Sequence, residues 1–190
     1  TEPQTAARAV HDIKPDILVL NAGATPMQAP ILEQTWEGFS RAWETDVKAT
    51  FEFGQQALLT PLAPGSIVVV VSSGAGIGGS SMSGGYAGAK RMQWFMAQYF
   101  QEESTKLGLG IRFVVLVPKQ IAGMTDLGNV ASSAYAARQG ISKEQFLERM
   151  GSPRLTPEVV GQGVISLLTD DAWAKGMAFG ITGQGLSALD

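Results

Sequence analysis

The chain has 190 residues, 45% hydrophobic and 16% charged, with a net charge of −3 at pH 7, which suits one well-buried domain and supplies no basic stripe for nucleic acid or anionic lipid. It has no cysteine and a single histidine, His11, which excludes disulfides, thiolate catalysis and Cys- or His-built metal sites, so no metal centre is expected. No apolar run reaches the length of a membrane span, and the opening "TEPQTAARAV" has no initiating Met and no signal-peptide pattern, so a soluble, cytoplasmic chain that begins inside a helical pattern is expected.

In chain order, a short helix is predicted over 5–13, followed by a strand, "DILVLNAG", over 16–23. A long helix over 35–59 opens at Thr35, whose hydroxyl suits an N-cap. The run "SIVVVVSS" over 66–73 reads as a second strand, and a helix over 83–106 is closed by Gly108. A third strand, "IRFVVLVP", covers 111–118. The segment 123–154 is irregular in pattern, with a short helical "KEQFLERM". It reads as a substrate lid, with a plain surface excursion as the alternative. A helix over 157–168 follows, with Thr156 as cap and Pro157 in its first turn. A weaker strand, "AFGITG", closes the pattern at 178–183. The strands are continuous apolar runs bounded by turn residues, as in parallel sheets buried on both faces. Their alternation with helices gives an α/β domain, 1–190, with a mostly parallel sheet and helices on both faces.

In an open parallel sheet the ligand crevice lies beyond the carboxyl ends of the strands. The segments there are "NAGATP", "SSGAGIGG" and "VPKQIAGMT", all rich in small residues that let a flat ligand approach the backbone. Glycine alone is weak evidence, because tight turns favour it for conformational reasons. The stronger signal is Tyr86 and Lys90, one helical turn apart on one face. A phenol of pKa about 10 is a poor base at neutral pH, and a fixed cation nearby lowers that value. Reaching about 7 takes roughly 4 kcal/mol, more than one lysine supplies, but within reach of a lysine together with an oxidised nicotinamide. The alternative is an ordinary amphipathic helix, whose Met92, Phe95, Met96, Tyr99 and Phe100 form an apolar face for core or subunit contact. The pair alone supports both readings equally.

Ser73 tips the balance, since it ends a buried strand where its hydroxyl faces the crevice and can bind a substrate oxygen. A nucleophilic role for it is disfavoured: Val71 occupies the first glycine position of the G-x-S-x-G elbow, and His11 lies far upstream. Ser72 points to the opposite side of the strand and reads as structural.

Ser73 followed by Tyr86-Ala87-Gly88-Ala89-Lys90 resembles the Ser and Y-x-x-x-K of the short-chain dehydrogenase/reductase family. Asn21-Ala22-Gly23 is similar to that family's N-A-G motif, with Leu20 where a second Asn is common. Val117-Pro118 with Ile121 resembles the segment that orients the nicotinamide carboxamide, with Lys119 in place of the usual Gly. Thr125 resembles the hydroxyl that caps the cofactor diphosphate, at a longer spacing than usual. The "FGITG" of 179–183 looks like the final strand and its turn. The resemblance implies a Rossmann-like fold and an NAD or NADP cofactor held by Asn21, Ala22, Gly23, Tyr86, Lys90, Pro118, Ile121 and Thr125. It further implies hydride transfer between a small-molecule alcohol and its carbonyl, with Tyr86 as acid/base, Lys90 lowering its pKa and Ser73 placing the substrate oxygen. A homo-oligomer, dimer or tetramer, is also implied.

Two departures stand out. Asp46, within Thr45-Asp46-Val47, stands where the family often has an Asn whose carbonyl holds a relay water; it keeps the carbonyl but brings a negative charge near Lys90. The family's opening T-G-x-x-x-G-x-G turn has no counterpart, and the glycine run 74–79 reads as a post-strand loop. The family sheet runs 3-2-1-4-5-6-7, so this chain is expected to supply only strands 4-5-6-7, the N-terminal strands being missing. Residues 16–23 would then form an apolar edge that favours association or unfolding. The rival expectation is an inactive, truncated or decayed family member serving as a binding or oligomerisation domain. Met124, Leu127, Val130, Tyr135 and Phe146 would give the lid an apolar lining or serve as simple packing.

Overall fold

The structure, a computed structural model, describes residues 3–189. Four parallel strands, β1 (Ile17–Leu20), β2 (Ile67–Val71), β3 (Arg112–Pro118) and β4 (Ala178–Thr182), stand side by side in chain order. A fifth, β5 (Gly185–Ala188), runs antiparallel to β4. Val19 pairs with Val69, Val69 with Val114 and Leu116 with Phe179. The helices are α1 (Pro3–Ile13), α2 (Trp36–Ala42), α3 (Lys48–Leu59), α4 (Ala75–Gly78), α5 (Gly85–Lys106), α6 (Asp126–Gln139), α7 (Lys143–Arg149) and α8 (Pro157–Thr169).

Successive strand residues point to opposite faces, and here both faces are covered. Val69, Val114, Leu116, Phe179 and Ile181 pack with Leu155 and Leu167 under the apolar side of α8. On the other face Val68, Phe113, Ala57 and Val10 form a second cluster beneath α1, α3 and α5. Burying both faces is what requires runs such as "IVVVV" without polar interruption. The four parallel strands and the flanking helices were thus expected from the sequence. As also expected, β1 is an edge, with Ile17 50% and Val19 41% exposed.

Several boundaries differ from the sequence reading. The helix expected over 35–59 is broken: Thr35 does cap α2, accepting from Gly38 N, but a π-helical turn, Trp43–Val47, intervenes before α3. Lys48 N donates to the Trp43 carbonyl, five residues back, and one extra residue of this kind shifts the helix face without changing hydrophobic content. The irregular segment contains a 14-residue helix, α6, whose many alanines and serines carry little amphipathic pattern. β5 was not expected, being four residues of which two are glycine and serine. The apolar face foreseen on α5 divides: Met96 is buried, whereas Phe95 and Tyr99 stack on each other at the surface.

Candidate active site

The carboxyl ends of β1, β2 and β3 open into a cavity of about 940 Å³, walled on its other side by α6 and α8. That size falls within the range of pockets that enclose small ligands. Asn21, Ala22, Gly23, Asp46, Ser73, Tyr86, Lys90, Pro118, Ile121 and Thr125 all border it. Every site residue singled out in the sequence therefore meets in one place.

Each is placed by its element. The first turn of α5 is pressed against α2, where a β-carbon on Gly85 would lie 2.0 Å from the Phe39 carbonyl oxygen. Tyr86 and Lys90 follow on this anchored turn, both buried. The Ser73 hydroxyl borders the cavity beside Tyr86, near enough to favour the ionised phenol, and it accepts from Ala75 N at 3.2 Å. Lys90 Nζ lies 5.6 Å from the Tyr86 ring centroid. Ser72 points the other way, as expected, and donates to the Lys90 carbonyl at 2.7 Å.

The charge arrangement differs from the sequence reading. Lys90 Nζ lies 3.0 Å from Asp46 Oδ2, and both side chains are almost wholly buried. Asp46 Oδ1 accepts from Ala24 N and from Thr45 Oγ1, each at 2.8 Å. The ammonium thus meets a carboxylate before it meets the phenol. Burial pushes the Tyr86 phenol above its ordinary value; the nearby charges of Asp46 and Tyr135 push the same way, and the Ser73 hydrogen bond opposes them. The direction is opposite to that expected for Tyr86 beside an unpaired Lys90. Lys90 itself is lowered by burial, with Asp46 opposing the shift.

Lys119 holds a backbone with no positive φ. Its aliphatic chain lies against Gly180, where a β-carbon would meet its Cδ at 2.7 Å, so replacing the family's Gly leaves the crevice open. Thr125 is the N-cap of α6, accepting from Gly128 N at 3.0 Å while donating to the Ala122 carbonyl at 2.9 Å. Of the foreseen lid residues, Leu127, Tyr135 and Phe146 border the cavity, whereas Met124 is 76% exposed and Val130 is also at the surface. Sequence reasoning overlooked Gln28, whose buried Oε1 on the cavity wall has no hydrogen-bond partner among the described residues. It also overlooked Ser80 and Ser83, which share hydrogen bonds with the Tyr135 phenol. Their only signal was position, in the loop just before Tyr86.

A mostly parallel sheet with helices on both faces and a ligand crevice beyond the carboxyl ends of its strands is a Rossmann-like architecture. The family profile described as enoyl-(acyl carrier protein) reductase matches residues 4–187, and the chain belongs to the short-chain dehydrogenase/reductase family. Among solved structures it is similar to an NAD+-bound xylitol dehydrogenase, with 18% identity, a TM-score of 0.80, and 96% of this chain and 75% of that one covered. It is similar also to sorbitol-6-phosphate 2-dehydrogenase from Erwinia amylovora (18%, 0.73, 95% and 73%). A further likeness is to a short chain dehydrogenase from Escherichia coli CFT073 complexed with NADPH (22%, 0.71, 95% and 70%). At these identities the likeness is one of fold. No curated protein matches the chain. Among the described residues no helix is long and apolar enough to cross a membrane, and no cluster of three potential metal ligands occurs.

The residues present fit the nicotinamide end of a dinucleotide. Asn21, Ala22 and Gly23 lie exposed at the end of β1, open to a flat ring that needs close approach to main chain. A lysine has three donors. Lys90 Nζ donates to the Val71 carbonyl at 3.5 Å and forms an ion pair with Asp46 Oδ2 at 3.0 Å, on the wall of the cavity.

Proposed function

We propose that this chain carries the proton-handling site of a nicotinamide-dependent oxidoreductase that interconverts an alcohol and a carbonyl compound, with NAD or NADP as cofactor. One juxtaposition supports this reading: Ser73, Tyr86 and Lys90 border a single cavity, with Lys90 Nζ 5.6 Å from the Tyr86 ring centroid. When bound, the cofactor supplies or accepts a hydride at the carbon of the reacting group.

The chain's own residues manage the oxygen. In reduction, Ser73 Oγ donates a hydrogen bond to the substrate oxygen and holds it beside Tyr86. The carbonyl π bond breaks as a C–H bond forms, and the oxygen takes the proton of the Tyr86 hydroxyl. The phenolate left behind is reprotonated from solvent, with the Asp46-paired Lys90 ammonium nearby. Oxidation runs the same path in reverse, with Tyr86 accepting the alcohol proton. Asn21, Ala22, Gly23, Pro118 and Ile121 would line the nicotinamide, and Thr125 would face the diphosphate. Asp46 keeps a carbonyl at the relay position, where it accepts from Gln93 Nε2 at 3.3 Å. A homo-oligomer belongs to the same proposal, supported by the exposed aromatic rings of Phe51, Phe95 and Tyr99.

The test is Tyr86→Phe in the full protein. Turnover should fall by about 10²-fold or more, the usual contribution of a positioned acid or base. Nicotinamide cofactor binding, followed by fluorescence, should be unchanged. Retained turnover would remove Tyr86 from the proton transfer.

A further inference from the structure

We propose that Asp46 is a positioning residue that clamps the Lys90 ammonium to the end of β1 and, by cancelling its charge, keeps the Tyr86 phenol in its proton-bearing form, so that the resting site is set to protonate a carbonyl oxygen. The inference rests on the Tyr86 reading above and adds to it a residue and a direction.

The geometry is a built clamp. Asp46 is 1% exposed. One oxygen is fixed by Ala24 N and Thr45 Oγ1, at 2.8 Å each. The other lies 3.0 Å from Lys90 Nζ and has no other partner among the described residues. A β-carbon on Gly23 would sit 2.7 Å from that same oxygen, so carboxylate and strand end are in direct contact. The π-helical turn supplies the aim: its extra residue re-registers the helix at Asp46, and the turn is pinned from the α5 side. Trp43 Nε1 donates to the Gly85 carbonyl at 3.0 Å, and Gln93 Nε2 reaches both the Asp46 carbonyl and, at 2.7 Å, Thr50 Oγ1. Turns of this type concentrate at functional positions.

An isoelectronic Asn would keep the contact to Ala24 but not the charge. In a dry site a carboxylate beside the ammonium cancels most of the field that would otherwise favour phenolate. The ionisable groups facing Tyr86 are Asp46 from the π-helical turn, Lys90 on its own helix and Tyr135 from α6. β2 contributes only the Ser73 hydroxyl, and β1 ends in the neutral Asn21, Ala22 and Gly23. Lys119, after β3, runs along Gly180. The phenol is therefore buried, and the cation on its own helix is already paired with a carboxylate. A phenol in that setting keeps its proton, which is the state carbonyl reduction consumes.

The experiment is a tyrosinate absorbance titration of the full protein without cofactor or substrate, reading the Tyr86 signal as the difference from Tyr86→Phe. Asp46→Asn should move the Tyr86 midpoint down by about one pH unit, giving about tenfold more phenolate at a given pH. A midpoint that stays or rises would overturn the proposal. If Asp46→Asn does not fold, Lys90→Gln with Asp46 intact should move the midpoint up, because the carboxylate then faces the phenol uncompensated; an unmoved midpoint would overturn it equally. The kcat/KM of Asp46→Asn for reduction should begin to fall at correspondingly lower pH. The titration involves no turnover, so its failure leaves the test of Tyr86 as proton donor untouched.

Discussion

The indole Nε1 of Trp43 donates to the carbonyl of Gly85 at 3.0 Å, tying the π-helical turn that presents Asp46 to the first residue of the helix that presents Tyr86. This bond spans 42 residues of sequence and acts with the Gln93–Asp46 and Lys90–Asp46 contacts to join the two sides of the site. Trp43→Phe should keep the ring packing and lose the bond. The expected cost is about 1 kcal/mol of stability, the usual net value of an intramolecular hydrogen bond, read from chemical denaturation. Activity should suffer more than stability, because small misplacement of a reacting group is expensive. The drop is expected in kcat, with KM for the cofactor nearly unchanged.

The raised Tyr86 phenol sets the pH behaviour. In the proposed mechanism reduction consumes the proton on Tyr86, so kcat/KM for reduction should stay level through the neutral range and decline only beyond the ordinary tyrosine value of about 10. Oxidation needs the phenolate and should still be rising there. Folding follows with a defined sign. Because the folded-state value lies above the unfolded one, the folded chain retains this proton after the unfolded chain has lost it. The contribution of Tyr86 is therefore fully present below about pH 10 and is lost as pH climbs through the folded value. Lys90, shifted down, acts in the opposite sense, so the measurement is the difference in stability between the wild-type chain and Tyr86→Phe across that range. A difference that grows with pH in favour of the wild type would contradict an upward shift of the phenol.

What the sequence disclosed, and what it hid, follow the same logic. Val68, Val69, Val70 and Val71 announce a strand buried on both sides because no amphipathic alternative exists for such a run. Tyr86 and Lys90 announce a site because polar groups are rare in so apolar a chain and these two share a helix face. The π-helical turn at Trp43–Val47 left no mark, since inserting a residue into a helix alters register and not composition. Helix α6 was hidden by its small residues: Ala131, Ala134 and Ala136 pack without drawing an apolar stripe. The Asp46–Lys90 pair was foreseen as proximity, yet its consequence for Tyr86 needed the folded geometry. Only there is it visible that the lysine is spent on the carboxylate and that the phenol is buried.

The edge of β1 gives a third expectation. Ile17 and Val19 are about half exposed there, and Ile13 at the end of α1 is 71% exposed. An apolar strand edge with free amides pairs readily with other chains. The 190-residue chain on its own should therefore associate in a concentration-dependent way, and Ile17→Lys should reduce that association, since edge lysines oppose strand addition. Sedimentation velocity over a range of concentrations gives the answer. Equal behaviour of the two chains would place the associating surface elsewhere.

Adjacent serines just past the end of β2 offer the sharpest contrast between scaffold and chemistry. Ser72 is buried, and its hydroxyl donates to the Lys90 carbonyl at 2.7 Å, so it fastens β2 to α5 one residue below the catalytic level. Ser73 is only partly buried and borders the cavity with Tyr86. The period-two geometry of a strand separates the two functions by a single residue. Ser72→Ala removes a buried hydrogen bond and should cost about 1–3 kcal/mol of stability, with a modest effect on rate once the protein is folded. Ser73→Ala should leave the melting temperature almost unchanged but lower kcat by about 10²–10³-fold, the loss typical of a donor aimed at a developing oxyanion. Paired denaturation and steady-state measurements on the two variants separate these effects. If both serines moved stability and neither moved turnover, the cavity would still be a pocket, but its reacting oxygen would have to sit somewhere other than between Ser73 and Tyr86.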